Sequence, residues 1–153
     1  MRGRVRYGGL ILAPFDAIDM NQDDLVPTLG ALACLLVLAL VAVPYLVAAP
    51  GAVQVYYAVG PVSPLFVGLL AVVAGVALLA GAQRRSDPAT TAGVGLALGV
   101  FMTAVALLWA VSVPADVLGG LSTTAAMAYH RWLLVLASLT ELVLAAWYVR
   151  LVL

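Results

Sequence analysis

The chain of 153 residues contains no lysine, one cysteine, one histidine and one glutamate. Each scarcity excludes something. Cys34 alone can form neither an intrachain disulfide nor a C-x-x-C pair, which removes a thiol–disulfide oxidoreductase working alone. His130 alone removes a bis-histidine haem or a multi-histidine metal site within one chain, so neither metal nor cofactor is expected. Charged residues make up only 9% of the chain, whereas soluble domains carry about 25%. Apolar residues reach 65%, too many for the remaining polar surface to coat a water-soluble core. No basic stripe offers a footprint for nucleic acid. The composition implies an all-α integral membrane protein with the lipid bilayer as its first partner.

What is present is long uncharged runs. Leu25 to Gln83 holds 59 residues without a formal charge. As one helix it would run about 88 Å, roughly three times the hydrocarbon thickness, so it must fold back. Pro44, Pro50, Pro61 and Pro64, with Gly51 and Gly60, mark where. The spans read as 25–49 and 64–82, with Pro27 and Pro64 suited to first turns and Pro44 placed to kink the first span near its end. A second uncharged run, Pro88 to Ala115, holds a third span over 89–113, capped by Ser86 or Asp87 and stopped by Pro114. The fourth span covers 125–150 after a Ser122-Thr123-Thr124 cap. Residues 1–24 read as a flexible cytoplasmic tail in which Met20 is a second candidate start, and 25–153 as the four-transmembrane-helix bundle. In the first link, the alternation Val53-Gln54-Val55-Tyr56 allows a short strand or an interfacial segment.

Arginine placement gives the orientation. Arg2, Arg4, Arg6, Arg84, Arg85 and Arg150 fall on one side of a four-span chain and Arg131 alone on the other. Arg84 and Arg85 are the clearest topology signal, and the bias puts both termini in the cytoplasm of a multi-pass cell-membrane protein. Tyr45, Tyr56, Tyr57, Trp109, Tyr129 and Trp132 lie near the outer boundary, and Trp147 and Tyr148 near the inner one, as an aromatic belt would.

Glu141 is the charge with no topological explanation. It follows Trp132 by nine residues and precedes Tyr148 by seven, which places it near the bilayer midplane. A charged side chain there costs about 2.5–3.5 kcal/mol on insertion scales. One reading is a protonatable coupling site, with Ser138 on its face and Thr140 adjacent. That reading requires a polar, water-reachable cavity. The other is a neutral acid that hydrogen-bonds a neighbouring helix at Thr103, or a second copy of the chain, and fixes packing. His130 and Arg131 open the last apolar stretch as an interfacial anchor or an anion contact, with Asp116 able to pair with Arg131. Gly95 and Gly99 form a G-x-x-x-G match, and Gly68 and Gly75 offer a second small-residue face. Both suit close helix packing, inside the bundle or in a homodimer. Cys34 reads as a small packing residue. Val41, Val43, Pro44 and Val47 recur as Val111, Val113, Pro114 and Val117, a spacing of 70 that a duplicated hairpin would give.

The ordering of Ala42-Val43-Pro44-Tyr45, Val55-Tyr56-Tyr57, Asp87-Pro88, Leu108-Trp109-Ala110-Val111-Ser112-Val113-Pro114 and Tyr129-His130-Arg131-Trp132 resembles small four-span membrane proteins of halophilic archaea, grouped as a family of unknown function. The resemblance covers Met20 to Leu153 and implies a cell-membrane location and four helices, with no activity, cofactor or catalytic residue attached. Glu141 sits in the last span, unlike the first-span glutamate of small multidrug exporters. With no nucleophile–base pair or cofactor motif, the expected function is that of a non-catalytic structural or accessory subunit, not an enzyme. It would pack with itself or within a larger membrane complex. The alternative is a small proton- or ion-coupled transporter using Glu141.

Overall fold

The computed structural model describes residues 22–49, 51–114 and 126–153. The described residues form five helices and no strand: α1 (Gln22–Val47), α2 (Ala52–Tyr57), α3 (Pro64–Ala82), α4 (Pro88–Ser112) and α5 (Ala126–Val152). Four of them, α1, α3, α4 and α5, are long and apolar enough to cross a membrane. Of the expected tail over 1–24, residues 1–21, with Met20, lie outside the described residues and 22–24 belong to α1 instead; Asp116, Val117 and the Ser122-Thr123-Thr124 cap also lie outside the described residues.

The ends of these helices follow from local chemistry. Ser63 caps α3, its hydroxyl accepting from the Leu65 amide at 3.3 Å, and Pro64 opens the helix. Asp87 caps α4 by accepting from both the amide and the hydroxyl of Thr90 at 2.8 Å. Val113 closes α4 in an extended conformation ahead of Pro114. α1 starts at Gln22, earlier than the expected Leu25, so Pro27 stands in its second turn rather than its first. The possible strand around Val53–Tyr56 is helix α2 instead. Its buried residues Val53, Tyr56 and Tyr57 follow helical spacing, which carries the packing better than alternation does.

The four long helices close into a ring in which α1 packs on α3, α3 on α4, α4 on α5, and α5 back on α1. Size is distributed inside out. The interior is rich in small residues, among them Ala71, Ala74, Ala92, Ala106 and Ala137. Leu36, Leu46, Leu69, Val76, Phe101 and Val143 face outward and are about half exposed or more. Water would penalise that outer surface, whereas helices meeting in lipid gain from small inner residues that bring backbones together. Leu78 shows the fit. Its isobutyl end fills the space where Cβ atoms of Gly30 on α1 and Gly95 on α4 would stand, each within 2.9 Å. Gly75 meets Cys34 of α1 in the same way at 3.3 Å, and Gly68 meets Val41 at 3.6 Å. The Gly95/Gly99 and Gly68/Gly75 faces are therefore spent inside the bundle and do not form an outer homodimer face. Pro44 lies within α1 and Pro114 beyond α4, so the echoed prolines occupy different structural positions.

Candidate functional site

Glu141 projects from α5 into the α4–α5 seam and is fully buried, at 0% exposure. The sequence makes room for it on the facing helix. A Cβ on Gly99 would collide with Glu141 Oε2, and would also stand 3.1 Å from the Leu142 backbone. Gly95, one turn earlier, faces Ala145 in the same antiparallel register. Neither carboxyl oxygen of Glu141 has a hydrogen-bond partner, and the buried hydroxyl of Thr103 is also unpartnered. The expected Glu141–Thr103 bond is therefore not made. Ser138, buried on the same side of α5, donates to the Leu134 carbonyl at 2.9 Å. Thr140 is exposed and donates to the Leu136 carbonyl at 2.8 Å, so it belongs to the outer surface. Since the carboxyl is buried within one chain, a second copy cannot reach it.

Clefts lie elsewhere. One of about 430 Å³ opens at the end of the bundle where α1 begins and α5 ends, and is lined by Asp24, Arg84, Ser86 and Tyr148 among others. Others follow the outer face of α5 near Val143 and Trp147. Glu141 lines none of these.

At the opposite end, the structure assigns His130 and Arg131 to the backbone rather than to the surface. Pro44 has no amide hydrogen, so the carbonyl of Leu40 loses its helical donor. His130, buried at 2% exposure, brings Nε2 within 2.8 Å of that oxygen. A carbonyl can only accept, so Nε2 carries the proton. In the neutral ring Nδ1 then accepts from the Tyr56 hydroxyl at 3.2 Å. The Tyr57 hydroxyl donates to the next carbonyl, Val41, at 2.7 Å. Tyr56, Tyr57, Trp109 and His130 pack as one buried cluster, with Tyr56 and Trp109 edge to face at 5.0 Å. Burial holds the Tyr56 hydroxyl in its neutral form, pushing its pKa up to about 12. Three residues expected in an outer belt, Tyr56, Tyr57 and Trp109, are thus core. Tyr45, Tyr129, Trp132 and Trp147 remain exposed, and Tyr148 is buried. Arg131 caps α4, its Nη1 donating to the carbonyls of Val113 at 2.8 Å and Ala110 at 3.3 Å, with its guanidinium over the Trp132 ring. The His130–Leu40 bond went unread in the sequence, although a signal existed: a proline inside a span demands a donor for the carbonyl four residues earlier.

Among the described residues, no group of three or more His, Cys, Asp or Glu side chains is placed to hold a metal ion. The model of a family of unknown function, DUF7548, matches residues 20–153. The chain belongs to that family. The match spans all five described helices and both candidate regions, the Glu141 seam and the His130 cluster. No curated protein and no solved structure matches the chain. Membership in DUF7548 therefore brings no activity with it.

Proposed function

We propose that the protein is a non-catalytic, multi-pass protein of the cell membrane. Its four long helices cross the bilayer with the α3–α4 link on the cytoplasmic side, and it acts as a structural or accessory subunit. The observation that carries this reading is the use made of His130. The side chain best suited to acid–base chemistry spends both ring nitrogens tying α5 to α1 and α2. Arg131 is likewise consumed by the end of α4. Charge placement supports the orientation, since Arg84, Arg85 and Arg150 share one end of the bundle and Arg131 marks the other. The halophilic archaeal lineage rests on the motif resemblance alone; the absence of lysine and the Ala/Val/Leu/Gly/Arg bias fit a GC-rich genome. In a Cys34→Ala background, cysteines at Ser86 and Gln54 are expected to react with impermeant reagents from opposite sides. Native mass measurement in lipid nanodiscs is expected to give an assembly larger than one 15.8 kDa chain. A lone monomer would count against the subunit role.

A second reading, proton- or ion-coupled transport, has one observation for it and one against it: the Glu141 oxygens bond nothing, so as glue the residue is ineffective, but the carboxyl is fully buried and lines none of the clefts above, so the water-reachable cavity that transport requires is closed in this structure. An ionisable side chain within a span is a functional site by default. Reconstituted protein should then carry a proton-coupled flux that Glu141→Gln abolishes without unfolding the bundle. Equal flux in both proteins would reject transport.

A further inference from the structure

We propose that Glu141, Thr103 and Ser138 form an internal proton-binding site in the α4–α5 seam. Thr103 is the positioning residue that receives the carboxylate when the proton leaves. The inference rests on the second reading only in taking Glu141 as titrating, and it requires no flux.

Buried polar atoms in folded proteins nearly always find partners, and the exceptions call for an explanation. Here three orphaned oxygens, Oε1 and Oε2 of Glu141 and Oγ1 of Thr103, belong to the same pair of helices. The register brings them near one another. Gly99 faces Glu141, and Arg131 reaches the carbonyls of Ala110 and Val113. Thr103, one turn beyond Gly99, therefore stands level with the turn of α5 that carries Ser138. An ionised carboxylate without a partner is far too costly in such a place, so the closed seam holds the neutral acid. Neutral glutamic acid needs no counter-charge, and none is supplied. The buried residues of α3 are Ala71, Ala74, Gly75 and Leu78 with other apolar neighbours, and α4 offers Gly95, Gly99, Met102 and Thr103. From α1, Cys34 is the titratable group within electrostatic reach of Glu141. On α5 itself the nearest titratable or charged side chains are Tyr148, Arg150, Arg131 and His130, seven to eleven residues away.

When the proton departs to water, the anion needs donors. The Thr103 hydroxyl is free to donate, whereas Ser138 already donates to Leu134 and must break that bond to help. Contact at Gly99 is backbone against carboxyl, so a small helix displacement admits water without unpacking a large side chain.

Glu141 is the chain's one glutamate, so cell-free synthesis with δ-¹³C glutamate as the only labelled amino acid marks this carboxyl alone. Its resonance would be followed against pH with the protein in lipid nanodiscs. The expected result is a neutral acid at pH 7 that titrates reversibly. Thr103→Val should raise the midpoint by about one unit, a tenfold tighter hold on the proton, because the anion loses a donor. Thr103→Ser keeps the hydroxyl and should restore the wild-type midpoint. A carboxyl already ionised at pH 7, or a midpoint unmoved by Thr103→Val, would overturn the proposal. Titration without flux would reject transport and leave the site standing.

Discussion

The imidazole Nε2 of His130 lies 2.8 Å from the carbonyl oxygen of Leu40, the oxygen that Pro44 leaves without a helical donor. A carbonyl freed by proline in one helix is thereby bonded to a side chain of another. Truncating His130 to Ala strands a buried carbonyl and opens a hole beside Tyr56. The expected loss of stability is about 1–3 kcal/mol. Pro44→Ala restores the backbone donor, so the same His130→Ala change should cost less in that background. A double-mutant cycle on thermal or denaturant unfolding in detergent checks this. Penalties that simply add would show that the two residues are independent.

Arg84 occupies a position that favours glycine. Its φ is 54°, and the amides of Arg84 and Arg85 return to the carbonyls of Gly81 and Ala80 at 2.9 Å. These are the two bonds of a Schellman closure, with arginine at the left-handed residue. The cost is about 1–2 kcal/mol, while its ion pair with Asp24, at 3.3 Å on a largely exposed side chain, offers about 0–1. Arg84→Gly should therefore unfold no more easily than wild type, and Arg84→Ala more easily. The same Arg84→Gly protein should show weaker sidedness in a cysteine-labelling assay at Gln54, because a positive charge has left the α3–α4 link.

Asp87 supplies a pH dependence outside the spans. Hydrogen bonds from the Thr90 amide and hydroxyl hold its carboxyl below the usual aspartate range. A depressed folded-state value means that the cap's contribution is complete above the unfolded-state value and is lost as pH falls through the folded one. Melting temperature should therefore decline at the acid end of the carboxylate range. Asp87→Asn, which still accepts from the Thr90 amide, should flatten that part of the profile. A wild-type decline that persists unchanged in Asp87→Asn would assign it to another group.

The four long helices and most of their ends were legible in the sequence, though α2 was not, because a spanning length sets their scale and proline, serine and aspartate mark ends by local chemistry. Ser63-Pro64 and Asp87-Pro88 needed no tertiary information. What was not legible depended on which face of an apolar helix turns inward. α3 is apolar all round, so no stripe distinguishes core from lipid. The same blindness placed Tyr56, Tyr57 and Trp109 in a belt, since an amphipathic ring is equally at home at an interface or in a buried cluster beside a free helix carbonyl. Glu141 could be assigned a depth from its distance to Trp132 and Tyr148. Only the packed register with Gly99 reveals that its oxygens meet no donor.

Gly99 and Glu141 should behave as one unit. A methyl group at Gly99 has nowhere to go, because the Glu141 carboxyl already fills that space and the Leu142 backbone stands 3.1 Å away. Gly99→Ala alone is therefore expected to destabilise the bundle by about 1–3 kcal/mol, the usual scale of overpacking, despite alanine's better helix propensity. Gly93 provides the control, since a Cβ there meets nothing within 4 Å. Gly93→Ala should be neutral or stabilising by up to about 1 kcal/mol. Glu141→Ala removes both the obstruction and the orphaned oxygens. In that background Gly99→Ala should regain most of its loss, with any remainder reporting the Leu142 contact. Unfolding of the four proteins in one detergent gives the coupling directly. If Gly99→Ala costs the same with and without the carboxyl, Gly99 is kept for helix approach alone and the seam was not shaped around Glu141.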